Sequence, residues 1–251
     1  MEAIGDNIKA IRKLLTKKAD LSLIFSTTLS DYTTPIYPPL ELGTDENWVI
    51  GLLSLETYYS FSNINNTNNI FKYSIDNGIT WKTITLPPGA YEIEQINSEI
   101  KRLMLPDVGI EILVNTVTLG SIVDITAPTY RVDFTVANSI SSVLGFNPQI
   151  LTEGYNVSDT VVNILDVNTI LVNCNIVNNS YLKGSHAPIL YSFFPNVKPG
   201  RKIVKEPSTI AYLAVNQKYI PNIRIWLTDQ DGNIIDFRGE VITYRLHMKQ
   251  L

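Results

Sequence analysis

The stretch Asn222–Leu251, NIRIWLTDQDGNIIDFRGEVITYRLHMKQL, decides the fold class. Ile223, Ile225 and Leu227 alternate with Arg224, Trp226 and Thr228. After a turn, Ile242, Tyr244, Leu246 and Met248 alternate with Thr243, Arg245, His247 and Lys249. A strand sends successive side chains to opposite faces, so each run has an apolar face for a core and a polar face for solvent or a neighbour. With Asp231-Gly232 between them, the runs are expected to form a near-complete antiparallel hairpin that closes the sheet.

Working outward, the preceding residues continue the β pattern. Val161–Leu165, Thr169–Val177, Pro188–Phe194, Ile203–Val204 and Ile210–Val215 are short strand candidates separated by Gly, Pro and Asn turns. That spacing points to a sandwich or jelly roll, and no fixed-period repeat suggests a propeller or solenoid. Nearer the N-terminus, Leu21–Thr28 reads as a strand, and the run around Pro35, Pro38 and Pro39 as an extended loop or sheet edge. Trp48–Ser62 is the longest apolar candidate, buried on both faces near its start. Phe71, Tyr73 and Ile75 precede Asp76-Asn77-Gly78, and Thr80–Leu86 return. Asn-Gly is the strongest short hairpin signal, because both turn residues need positive φ.

The middle of the chain changes period. After Pro87-Pro88-Gly89, Ile93, Ile96, Ile100, Leu103 and Met104 take helical spacing, stopped by Pro106. Strands are expected near Val108–Val114, Leu119–Thr126 and Tyr130–Val136. A short helix follows in SISSVLG, capped by Asn138 or Ser139 and closed by Gly145. The expected organisation is an N-terminal arm at 1–20, a first β part at 21–86, an α+β insertion at 87–155 and a second β part at 156–251. In the arm, Ile4, Ile8, Ile11 and Leu15 recur at helical spacing among Lys9, Arg12, Lys13, Lys17 and Lys18. It reads either as a helix packed on its own domain or as an arm for a partner or an anionic surface.

Bulk properties exclude several classes. With 45% hydrophobic and 18% charged residues the chain is globular. The net charge of −4 argues against a chain-wide nucleic-acid surface, although residues 1–18 carry +3 and leave −7 for the rest. Cys174 stands alone in an apolar run and is read as a core side chain. The N-terminus has no apolar signal region, and no run approaches the ~18 apolar residues of a membrane span, so an intracellularly made, non-membrane protein is expected. Asn65, Asn156 and Asn178 head Asn-x-Ser/Thr triplets, which an Asn-rich composition explains.

Motifs for chemistry are lacking. His186 and His247 cannot build a His-rich metal site, and Ser185-His186 lacks an orienting acid. Asp229, Asp231, Asn233 and Glu240 fit positions 1, 3, 5 and 12 of a calcium loop, but Ile234 occupies the position that needs glycine. A tight turn explains them better. No enzyme, cofactor or metal is therefore expected. Contact candidates are stronger. In Tyr191–Val204, YSFFPNVKPGRKIV, adjacent Phe193 and Phe194 must point to opposite faces, with Lys198, Arg201 and Lys202 following. This is either an ordinary strand end or an aromatic-plus-cation contact spot. Arg245, His247 and Lys249 line the outer face of the last strand, available to a neighbouring subunit.

Five stretches carry a family resemblance: Gly51–Ser74, Leu86–Ile100, Ser141–Phe146, Tyr191–Val204 and Trp226–Leu246. In order and spacing the chain resembles the minor capsid (penton) proteins of Polinton/Maverick elements and related adintovirus and virophage-like viruses. The resemblance implies a single jelly roll; together with the residue patterns the expected fold is a mainly β chain, a single jelly-roll β-sandwich with a small α+β insertion and an N-terminal helical arm. The resemblance also implies a structural virion protein whose copies form homopentamers at icosahedral vertices beside a double jelly-roll major capsid protein. Subunit contacts would then fall to Phe193, Phe194, Lys198, Arg201, Arg245, His247 and Lys249. Any nucleic-acid contact would be non-specific and run through the arm. The alternative is a lectin- or cytokine-like ligand-binding sandwich, with the Asn63–Asn69 loop or the insertion holding the ligand.

Overall fold

The computed structural model describes residues 20–43, 47–164 and 167–251. The expected arm at 1–20 falls, except for Asp20, outside the described residues. In chain order the strands are β1 (Asp20–Thr27), β2 (Asp31–Glu41), β3 (Trp48–Tyr58), β4 (Ile70–Ser74), β5 (Lys82–Thr85), β6 (Ile110–Asn115), β7 (Gly120–Ile125), β8 (Arg131–Asp133) and β9 (Ile150–Leu151). They continue with β10 (Gly154–Val157), β11 (Ile170–Cys174), β12 (Ser180–Leu182), β13 (Ser185–Ala187), β14 (Ile189–Phe193), β15 (Lys202–Lys205), β16 (Leu213–Ala214), β17 (Tyr219–Thr228) and β18 (Ile242–Gln250). Two helices, α1 (Ile93–Met104) and α2 (Ser141–Leu144), lie between β5 and β9.

The chain divides into two compact units. Among the described residues, the first comprises 20–58, 169–197 and 202–251, and the second 59–168 and 198–201. In the first, eight strands pair in a nested series: β1 with β18, β2 with β17, β3 with β15 and β11 with β14. Such nesting is one long hairpin folded over on itself, with successive pairs assigned to alternate sheets. The sheets run β1-β18-β3-β15, with β16 also on β3, and β14-β11-β17-β2. That order is a single jelly roll. Its core is the inward rows Ile50, Leu52, Leu55, Tyr244 and Leu246 of one sheet and Val172, Cys174, Ile223, Ile225 and Leu227 of the other, all buried. Burying each aliphatic side chain of this size contributes roughly 1.5–3 kcal/mol. The start of β3 is buried on both faces, and the Pro-bearing β2 is a sheet edge, where missing N–H donors cost least.

The terminal stretch differs from its expected form. β17 and β18 do not pair with each other: β17 lies between β11 and β2, and β18 between β1 and β3. Only a short hairpin closes over 227–235, where Asp229 N–H donates to Asn233 O at 2.9 Å and Ile235 N–H to Leu227 O at 3.1 Å. The chain then crosses to the other sheet through the buried Phe237 and a left-handed Arg238-Gly239 pair (φ 55° and 80°). Both edges of each strand are taken by segments distant in sequence, so no edge remains for a hairpin.

The second unit has its own core. Sheets β5-β4-β8-β9 and β10-β7-β6 are joined by α1 and α2. Ile93, Ile96, Ile100 and Met104 of α1 bury with Phe71, Ile112, Val123, Phe134 and Phe146. Gln95 Oε1 accepts the Glu92 N–H at 2.9 Å, capping α1, and Asn97 Oδ1 accepts Ile112 N–H at 2.9 Å, covering the free edge of β6. This unit begins at Tyr59, not at residue 87, and extends to Asn168, not to residue 155. The reason is that Phe71, Tyr73, Ile84 and Leu86 of the β4–β5 hairpin belong to this core, with Val162 and Ile164 packed against it. The strand expected at Val161–Leu165 is absent over 161–164. Gly145 closes α2 with φ 82°, but Ile140 occupies its N-cap, and Ser139 Oγ reaches Ser141 N–H at 3.2 Å.

Candidate subunit interface

The outward row of β18 is set by its two neighbours. Lys249 lies opposite Asp20 and Val49, His247 opposite Ser22 and Gly51, and Arg245 opposite Ile24 and Ser54. Arg245 and Ile24 are exposed. Among the described residues Arg245 makes no side-chain hydrogen bond or ion pair. Farther along the same face Lys202 pairs with Glu56 at 2.5 Å, and this hydrogen bond, with help from Arg245, holds the Glu56 carboxyl below its ordinary range.

His247 lies on the outer face, as expected, but is partly covered there. Its side chain is 24% exposed, and Tyr212 Oη and His247 Nδ1 share a hydrogen bond of 2.6 Å. Asp20 Oδ1 is 3.6 Å from Nε2, and Lys249 Nζ lies 4.0 Å over the Tyr212 ring. The cause is Gly51. A Cβ there would collide with the Ile210 side chain and sit 2.9 Å from Ala211 O, so glycine lets the 210–212 strap, which leads into β16, lie over β3 and bring Tyr212 onto His247. Sequence alternation cannot reveal a strap from a distant loop. The glycine inside a strand pattern was the one available signal.

The aromatic segment separates as alternation requires. Phe193 is 4% exposed and belongs to the core, which removes it from the surface offered to a neighbour, whereas Phe194 is 70% exposed. Lys198 Nζ pairs with Glu92 Oε1 at 3.0 Å, and the Arg201 side chain is exposed while its carbonyl accepts Tyr59 N–H at 2.9 Å.

The remaining chemical candidates are occupied by structural bonds. Asp229 accepts N–H groups of Asp231 and Asn233 at 2.8 and 2.9 Å. Burial pushes its carboxyl up, but these bonds outweigh burial and leave it below its ordinary range. His186 contacts Tyr181 Oη at 2.9 Å and Asn178 O at 3.3 Å within the β12–β13 hairpin. Burial pushes the Cys174 thiol up to about 11, away from the reactive thiolate. In the Asn-rich loop, Asn63 donates to Tyr91 O and Ile164 O, Asn68 to Asn63 O and Asn69 to Leu86 O. Those amides satisfy the chain's own backbone. Among the described residues no cluster of three metal-ligating side chains occurs, and no helix is long and apolar enough to cross a membrane.

The class defined by these observations is a single jelly-roll β-sandwich with a second α+β unit between its third and fourth strands. No protein-family model matches the chain, and comparison with curated proteins finds no match. Among solved structures it is similar to the penton protein of mavirus, at 11% identity and a TM-score of 0.48, over 94% of this chain and 100% of that one. It is also similar to the D2–D3 domains of the flagellar cap protein FliD from Escherichia coli, at 13% identity and a TM-score of 0.19, over 90% of this chain and 98% of that one.

Proposed function

We propose that this chain is a non-enzymatic capsid building block of penton type. Its copies assemble as a homopentamer at icosahedral vertices beside a double jelly-roll major capsid protein, and it resides in the virion. The observation that carries this reading is the nested pairing of eight strands, supported by the five family-like stretches. These fall on β3–β4, the start of α1, α2, β14–β15 and β17–β18. A fivefold ring requires heterologous contacts, in which two different faces of each subunit meet. Phe194 and Arg245, both exposed, are the foremost contact residues, with Lys198, Arg201 and Lys249 at the margins.

Light scattering and negative-stain imaging of the purified chain test the proposal. Monodisperse pentamers with fivefold rings are expected; a strict monomer at high concentration with affinity for glycans would overturn it in favour of a ligand-binding module. Phe194→Ser and Arg245→Glu should each weaken the pentamer while leaving the melting temperature of the isolated subunit nearly unchanged, as surface substitutions do.

A further inference from the structure

Asn77-Gly78 stands at a positive-φ turn, with φ of 59° and 87°, and the pair has a chemistry of its own. In an Asn-Gly pair the glycine amide nitrogen, unshielded by a Cβ, can attack the asparagine side-chain carbonyl carbon. A bond forms between Gly78 N and Asn77 Cγ, the Cγ–Nδ2 bond breaks, and the amide proton leaves with the departing ammonia. Water then opens the five-membered imide at either carbonyl and yields aspartate or isoaspartate. The net change is one water consumed and one ammonia released.

In this fold both reacting groups are held, and by different anchors. Gly78 N–H donates to Ser74 Oγ at 2.9 Å, and Ser74, at the end of β4, is fully buried. Ser74 Oγ in turn donates to Asp76 Oδ1 at 2.7 Å. Asn77 Oδ1 instead accepts Arg131 Nη2 at 2.8 Å, while Asn77 N–H donates to Thr129 O at 2.7 Å. Arg131 is itself fixed, its Nη1 donating to Pro128 O at 2.8 Å and Tyr130 O at 2.6 Å. The nucleophile is therefore directed at β4 and the electrophile at the segment leading into β8.

We propose that Asn77 is a latent deamidation site, kept intact by these two anchors and converted only when the β4–β5 turn detaches from Thr129–Arg131. The two products differ in consequence. Aspartate keeps an acceptor for Arg131 and gains a charge for it. Isoaspartate adds a backbone carbon and cannot hold the Ser74 and Thr129 contacts together. Local opening of one hairpin thus sets the chemical lifetime of the second unit.

The test ages the full chain in mildly alkaline buffer and follows intact mass and isoaspartate in the peptide containing residue 77. Wild type should convert far more slowly in native buffer than in denaturing urea. Ser74→Ala and Arg131→Met should each accelerate native conversion roughly fivefold, the factor carried by one net hydrogen bond, and leave the rate in urea unchanged. Equal native and urea rates for wild type would overturn the proposal, and that comparison stands even if a variant fails to fold. Unaltered native rates in both folded variants would overturn it as well.

Discussion

Tyr244 contributes one of the largest fully buried side chains of the jelly-roll core, yet its hydroxyl has no hydrogen-bond partner among the described residues. Burial pushes the ionisation of that hydroxyl well above its ordinary range, so the group stays neutral and desolvated. Thr57 Oγ1 shares this condition. Removing an orphaned buried hydroxyl without changing the ring should stabilise a fold. Tyr244→Phe is expected to raise the unfolding free energy by about 1 kcal/mol, read from urea denaturation with an unchanged slope. Asp76 presents the opposite case. Hydrogen bonds from the Thr80 hydroxyl and N–H, and from Ser74, hold its carboxyl at about 2 against an ordinary 3.8. A depressed folded value means the contribution is present above the unfolded value and disappears as pH falls through the folded one. The Thr80 amide resonance should therefore titrate with a midpoint near 2; a midpoint near the ordinary value would show the turn bonds to be absent in solution.

At the scale of the element, β3 shows how one residue admits a neighbour. Gly51 leaves the space in which the 210–212 strap lies and Tyr212 reaches His247. Gly51→Val should displace the strap, cost about 1–3 kcal/mol as overpacking does, and release the His247 ring, visible as a change in its side-chain NMR signals. An unchanged His247 environment in the folded variant would separate the strap from Gly51. Elements whose cause is local were legible in the sequence. The apolar period of 93–104 yields α1, and Asn77-Gly78 yields the β4–β5 hairpin with positive φ at both residues. The terminal runs were legible as strands and as faces, but not as partners. Alternation states which side chains enter a core, and Ile242, Tyr244, Leu246 and Met248 all do. It carries no information about which strand lies alongside.

For the whole molecule, charge separates residues 1–18 from the rest, at +3 against −7. If the chain builds capsids as proposed and residues 1–18 serve assembly and not folding, deleting them should leave thermal stability nearly unchanged while reducing incorporation into particles. A fall of several degrees in melting temperature, about what 1 kcal/mol produces in a domain of moderate size, would place residues 1–18 in a core instead. The second unit shows why boundaries were harder to read than elements. The Pro87-Pro88-Gly89 break suggested an edge at residue 87, yet the buried faces of Phe71, Tyr73 and Ile84 join the same core as α1. A turn signal marks where a strand stops, whereas a unit ends where shared burial stops.

By itself the amino-acid sequence determined that this is a mainly β chain with a helical interlude, which side chains are apolar-faced, and where its tight turns fall. These follow from interactions within a few residues: side-chain period, positive φ and capping. Only the tertiary structure decided the nested strand order, the crossing of β17 and β18 to different sheets, the extent of the second unit, and the covering of His247 by Tyr212. Those depend on backbone edges and buried surface shared between segments far apart in the chain, which no local pattern encodes.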